Sequence, residues 1–286
     1  MKHILLYSLA FFITITVAKD YKNISITPDT LFSELIYGTT DSSKIFTIKN
    51  QSKDKLFWCI AQTNPSISAG QHHNLALSSD GNVQSWGITD GWKYYGQSDI
   101  PEFLSDAIEV SAGDYHSLAL LSDGSVHAWG DNSQGQIRIP RLEKNIIAVS
   151  AGEYHNLALH ADGTVTAWGS NQFGQCNVPK DLHSVTKISS GYYHSLVVHD
   201  DGTVTAWGSN DYGQLNLPEG LDSVIAISAG VSHSLALHEN GSVSAWGENG
   251  YGQSTVPSDL DSTVIAVSAG GDHSIALMES GTVRSW

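Results

Sequence analysis

From residue 66 onward the chain is one unit written six times. Aligned on the glycine that follows Ser-Ala or Ser-Ser, the copies begin near Ile67, Val110, Val149, Ile188, Ile227 and Val267. The aligned glycines are Gly70, Gly113, Gly152, Gly191, Gly230 and Gly270, separated by 43, 39, 39, 39 and 40 residues. A period this steady means that each copy is one supersecondary unit and that neighbouring units bury one another.

The unit reads as β-structure. In the copy Val149–Pro179, Val149-Ser150-Ala151 is a short strand ended by Gly152. The stretch His155–His160 alternates, with Leu157 and Leu159 on one face. Asp162-Gly163 then accepts the positive φ of a two-residue hairpin turn. Thr164–Gly169 returns, rich in β-branched residues and carrying Trp168. Asn171–Gln175 is a polar loop, and Pro179 ends the ladder. Three short strands cannot bury both faces of their own sheet, whereas stacking copies face to face buries them and radial closure removes most free edges. Ala167 beside Trp168 supplies the small-and-large alternation that tapered packing needs. The expected fold is an all-β propeller of three- to four-stranded blades over residues 66–286. A linear β-solenoid is the rival, but its coils are usually shorter and lack the hairpin turn.

Composition agrees and narrows the function. Glycine is abundant, at 27 residues, and charged residues are few, at 15%, which suits tight turns rather than solvated helices. The formal net charge of −15 repels phosphate and argues against nucleic acid, though it would attract a basic protein. Lys2 and His3 precede an apolar run, Ile4–Ala18, that ends in the small residues Thr16-Val17-Ala18. That run is short for a membrane span, which needs ~20 residues, so 1–18 is expected to be an export signal and the protein secreted or at the cell surface. An uncleaved anchor is the alternative; no other stretch could span a bilayer. Cys59 and Cys176 are too few for a disulfide framework and are expected as buried thiols.

The pattern G-x-x-H-S-L-A-L-x-x-D-G-x-V-x-A-W-G-x-N-x-x-G-Q resembles the regulator-of-chromosome-condensation repeat, and it runs from Ile67 to Trp286. In repeat length it is closest to bacterial members such as propeller-type β-lactamase inhibitors. The resemblance implies seven blades when complete, so the copies present here amount to about five and a half and the sequence is expected to be a fragment. Residues 19–65 have another texture. Ile45–Ile48 and Leu56–Ile60 are strand-like about a polar turn, similar to the start of a bacterial immunoglobulin-like module, and are expected as a short β-remnant.

Six histidines share one repeat position: His73, His116, His155, His194, His233 and His273. Each is followed by Ser or Asn. A catalytic Ser-His pair would occur once, so a pair present in every unit is architectural; each imidazole is expected to bond a backbone group within its own blade. The recurring tryptophans Trp86, Trp129, Trp168, Trp207, Trp246 and Trp286 are likewise structural. His160, His199 and His238 are expected as solvent-facing strand ends. The Asp-Gly dipeptides are turns and lack the clustered oxygens of a calcium loop. No nucleophile elbow, zinc spacing or isolated carboxylate pair is present, so neither an enzyme nor a cofactor or metal is expected.

Recognition must then fall to the positions that differ between copies. Ahead of the shared histidine these are His72, Tyr115, Tyr154, Tyr193, Ser232 and Asp272; in the Asn-x-x-Gly loops they are Gln134, Phe173, Tyr212 and Tyr251. The first copy carries an insertion, Gly87–Gly96, with Trp92, Tyr94 and Tyr95. Equivalent loops fall on one rim of a propeller, and aromatic anchors are favoured at interface hot spots. The expected function is a non-enzymatic module that binds a protein or glycan through Trp92, Tyr94, Tyr95, Tyr115, Tyr154, Phe173, Tyr193, Tyr212 and Tyr251. Packing against neighbouring blades is the other role these rings could have. The resemblance adds two alternatives: a guanine-nucleotide exchange factor for a small GTPase, and an inhibitor of a secreted enzyme such as a β-lactamase.

Overall fold

The computed structural model describes residues 66–286 except 143–144 and 261–263. Before them it describes only the backbone of five short strands, Lys2–Ser8, Phe11–Val17, Ile24–Thr27, Thr47–Asn50 and Ala61–Thr63. Residues 1–18, expected as an export signal, residues 19–65, expected as an immunoglobulin-like remnant, and Cys59 therefore lie outside the residues whose side chains are described.

The repeats form six three-stranded antiparallel sheets, the blades of a propeller. Blade 1 comprises Ser66–Ala69, His73–Leu77 and Val83–Gly87; blade 2 Ala107–Ala112, His116–Leu121 and Val126–Gly130. Blade 3 comprises Ile146–Ala151, His155–His160 and Val165–Gly169; blade 4 Val185–Ser190, His194–His199 and Val204–Gly208. Blade 5 comprises Val224–Ala229, His233–His238 and Val243–Gly247; blade 6 Val264–Ala269, Ser274–Met278 and Val283–Ser285. The sixth sheet has three strands, the third of them short: Trp286 and Ser274 exchange both backbone hydrogen bonds, at 3.0 and 2.8 Å, and hold it.

Two local expectations need correction. The first strand of blade 3 starts at Ile146, three residues before Val149, because a bulge between Ile146 and Ala148 carries the pairing with His160 across an extra residue. The hairpin turn is not a two-residue one either. Gly163 N–H bonds the His160 carbonyl at 2.9 Å, and His160 N–H bonds the Thr164 carbonyl at 2.9 Å. Only Gly163 takes positive φ, +79°, so the loop is a tight turn followed by a left-handed glycine. Asp162 braces it by accepting the N–H of Thr164 at 3.1 Å.

The core lies between blades. First strands of neighbouring blades pack directly on one another, as do each middle strand and the first strand of the next blade. Leu157 and Leu159 face blade 4 and meet Val185, Val197 and Trp207; Ala158, on the other face of the same strand, meets Leu118 and Leu120 of blade 2. Each buried leucine contributes about 1.5–3 kcal/mol through the apolar area it removes from water.

The recurring polar residues stitch blade to blade. His155 Nε2 lies 3.0 Å from Ser195 Oγ of blade 4, and Ser195 donates onward to the Gln175 carbonyl at 3.0 Å. Because the serine hydrogen is committed to that carbonyl, the imidazole donates from Nε2. The same contact joins His73 to Ser117, His116 to Asn156, His194 to Ser234 and His233 to Ser274. The histidine therefore bonds the next blade, not a group within its own. Trp207 Nε1–H adds a second bond to the Gln175 carbonyl, at 2.9 Å, as Trp129, Trp168, Trp246 and Trp286 do to Gln97, Gln136, Gln214 and Gln253. Nearer the axis, Ser111 Oγ accepts the Ala151 N–H at 2.9 Å, with counterparts from Ser68, Ser150, Ser189 and Ser228. Gly113 is glycine because a Cβ there would sit 2.5 Å from the Gly152 carbonyl oxygen. Burial holds the imidazoles well below their usual range, to about 4 for His73, His116 and His233 and about 3 for His155 and His194.

Among the described residues no such bond joins blade 6 back to blade 1. His273 is exposed there, and Trp86, the one repeat-position tryptophan without a bond to a glutamine carbonyl among the described residues, is 50% exposed. His160, His199 and His238 also depart from expectation: they are buried, with Nε2 at 2.7 Å from Thr166 Oγ1, 2.8 Å from Thr205 Oγ1 and 2.8 Å from Ser244 Oγ. Cys176 is a free thiol directed at the Ser170 carbonyl, and burial pushes it up to about 11.

Candidate binding face

The loop from the first to the middle strand and the loop after the third strand leave each blade at the same end, so their variable residues share one face. In blades 2, 3 and 4 the first of these loops reads Gly-Asp114-Tyr115-His, Gly-Glu153-Tyr154-His and Gly-Tyr192-Tyr193-His. Glycine and histidine are held by the stitch, which leaves the two central residues to project at the mouth of the inner ring.

There the aromatic side chains meet in two groups. Tyr115 stacks on Tyr154 with centroids 6.0 Å apart and planes at 21°. Tyr95 meets the edge of Tyr115 at 5.5 Å, and His72 lies 5.1 Å from the same ring. Tyr193 contacts Phe173 at 4.5 Å and Tyr192 at 4.6 Å. Trp92 projects from the blade 1 insertion, 84% exposed, with Lys93 Nζ 5.0 Å above its ring and 5.9 Å above that of Tyr115. Tyr94 donates its hydroxyl to Asp99. Tyr212 and Tyr251 stand apart on the loops of blades 4 and 5, the latter 76% exposed. Of the nine expected contact residues, the structure gathers Trp92, Tyr95, Tyr115, Tyr154, Phe173 and Tyr193 on the side of the ring spanned by blades 1 to 4. It leaves Tyr212 and Tyr251 outside that cluster.

Beneath the tyrosines lie two carboxylates that the aromatic pattern did not reveal. Glu153 is only 4% exposed, and Asp114 is half-buried. Burial, then the neighbouring Glu153, pushes Asp114 up to about 7, while Lys93 opposes the rise. Burial likewise raises Glu153, against which the hydroxyls of Tyr192, Tyr193 and Tyr154 act as donors. The tyrosines are raised in turn, by burial and then by Glu153, with Tyr193 reaching about 12. Glu153 Oε2 and Asp114 Oδ2 are both buried without a hydrogen bond. Their sequence signal was faint: a single acid in the variable slot beside each tyrosine. Lys93, masked in sequence by its aromatic neighbours, is the cation of the site. Among the described residues no group of three His, Cys, Asp or Glu side chains is arranged for a metal ion, and no helix is long and apolar enough to cross a membrane.

A radial series of such blades, with a repeat-invariant seam and a variable loop face, defines a β-propeller. The family model of the RCC1-like domain matches residues 38–286, and the chain belongs to that family. No curated protein matches it. Among solved structures it is similar to Prp20p from Saccharomyces cerevisiae, with TM-score 0.64 and 25% identity over 77% of this chain and 71% of that one. That yeast protein was described with its binding properties to Gsp1p and histones. The fold is shared with human WBSCR16, at TM-score 0.62 and 20% identity over 78% of this chain and 76% of that one. It is shared too with the CRINKLY WD40 ectodomain of the Arabidopsis thaliana receptor kinase ACR4, at TM-score 0.60 and 23% identity over 77% and 79%.

Proposed function

We propose that this chain is a secreted, non-enzymatic propeller that binds a protein through the loop face of blades 1 to 4. The observation that carries the reading is that Trp92, Tyr95, Tyr115, Tyr154, Phe173 and Tyr193 lie on one loop face, most of them in two groups of touching rings. These residues are free to vary because the seam does not use them, yet they gather on the same face. Large, stiff aromatic side chains gain contact area at little cost in conformational entropy. Prp20p, which binds Gsp1p and histones, supports a protein as the class of partner; the apolar run 1–18 supports secretion.

Cross-linking the purified chain to secreted proteins of its host, with the captured protein identified by mass spectrometry, tests the reading. The triple variant Trp92→Ala, Tyr154→Ala, Tyr193→Ala is expected to lose that capture and to keep its β-sheet circular dichroism. Undiminished capture by the folded triple variant would reject the aromatic face. Nucleotide-release assays on a panel of small GTPases, and inhibition assays on secreted hydrolases including a β-lactamase, separate this reading from its two alternatives.

A further inference from the structure

Resting on the binding-face reading, we propose that the mouth of blades 2 to 4 seats the guanidinium of an arginine side chain from the protein partner. The seat is Glu153, bordered by the rings of Tyr154, Tyr192 and Tyr193. Four observations lead there. First, Glu153 Oε2 is buried without a hydrogen bond, in a side chain that is 4% exposed. A buried carboxylate oxygen without a partner is costly, and a cation that reaches it recovers that cost. Second, the surroundings suit a cation: tyrosine faces attract positive charge, and their hydroxyls lie beside the same carboxylate.

Third, the site already draws a cation from within the chain. Lys93 Nζ stands over Trp92 and Tyr115 and acts on Asp114, whereas among the described residues no positive group acts on Glu153. Asp114 has a cation of the chain beside it, and Glu153 has tyrosine hydroxyls. Fourth, the arrangement is local. The corresponding pairs are Gln71-His72 in blade 1, Val231-Ser232 in blade 5 and Gly271-Asp272 in blade 6, none of which combines an acid with a tyrosine. Arginine fits better than lysine because its planar, weakly hydrated head can lie on a tyrosine ring and still donate two hydrogen bonds to one carboxylate. The chain's net charge of −15 would steer such a partner inward.

The test is a titration of the full chain, at low salt, with the blocked peptide acetyl-Gly-Arg-Gly-amide and with its neutral citrulline counterpart, followed by tyrosine ring NMR shifts. Saturable binding of one arginine peptide per chain is expected, about tenfold tighter than citrulline. Glu153→Gln, which preserves shape, should lower arginine affinity about tenfold and unfold at or above the wild-type Tm, since it removes a buried charge. Glu219→Gln removes one negative charge from an exposed loop and should leave affinity unchanged. Tyr154→Ala, which spares the seam, gives a second route to the same loss. Equal binding of arginine and citrulline, or wild-type affinity in Glu153→Gln, would overturn the seat. Partner capture lost in the tryptophan–tyrosine triple variant but intact in Glu153→Gln would overturn the seat and leave the binding face standing. Capture retained in both would reject the face itself.

Discussion

Gly152 and His155 belong to the seam between blades; Glu153 and Tyr154, the two residues between them, belong to the mouth. The outer pair is repeated in every blade and closed by defined partners: the glycine lies against the next glycine's carbonyl, and the imidazole bonds the next blade's Ser195. The inner pair differs from blade to blade and ends in a buried oxygen with no partner. Four consecutive residues thus divide into two that fix the architecture and two that are released from it. The difference teaches that a stitched frame can hold an incompletely satisfied polar cluster in place, because the frame does not depend on it.

The sharpest way to break this comparison is to damage the seam. Gly113→Val should cost more than about 3 kcal/mol, because the new side chain collides with the Gly152 carbonyl, a backbone atom that cannot yield. Urea unfolding reads this directly, and a change below about 1 kcal/mol would mean the seam is not close-packed.

Acid should act next most strongly. The five seam imidazoles have folded pKa values depressed below the ordinary 6.5, so the unfolded chain binds protons that the folded chain refuses. Their contribution is complete above pH 6.5 and is lost as the pH falls toward 4. Glu109 and Asp114, raised to about 7, and Glu153, also raised, work the other way: the folded state holds their protons longer, so they favour folding as pH falls from 7. Five imidazoles outweigh three carboxyls, and stability should fall by on the order of 2 kcal/mol between pH 6.5 and 4.5. Replacing the three acids by amides should steepen the fall; a flat profile would contradict the neutral, buried seam.

A double-mutant cycle on His155→Ala and Ser195→Ala sharpens the picture at a single stitch. A coupling of about 1 kcal/mol is expected from chemical denaturation, whereas His155 with Ser234, two blades away, should show none. Smallest of all is Trp92→Ala, which should move the Tm by less than one or two degrees, corresponding to about 0.5 kcal/mol, because the indole is 84% exposed.

Much of the frame could be read from the chain itself. The spacing of the glycines, the alternation in His155–His160 and the Asp162-Gly163 turn place the strands to within a few residues, because these signals are local and recur. The partner of each histidine could not be read that way. Its contact lies 40 residues on, and one unit in isolation offers no reason to prefer the next blade over its own backbone. The clue was the Ser or Asn that always follows the histidine, together with the glutamine of every Gly-Gln pair. The aromatic half of the mouth was visible as variation at fixed positions. Asp114 and Glu153 were not, because an acid in a turn ordinarily faces water, and only the packing of three blades shows that these two do not.

Every stitch also has a direction: the imidazole comes from one blade and the hydroxyl or amide that receives it from the one that follows. Removing one whole unit, such as the span from Val149 to Lys187, would therefore bring His116 to face Ser195, a receiver of the kind it already uses elsewhere. Gene-level duplication or loss of a blade would change the circumference of the ring without requiring any new contact to evolve. What it would change is the order in which mouth residues follow one another, so altered numbers of units become a route to altered recognition.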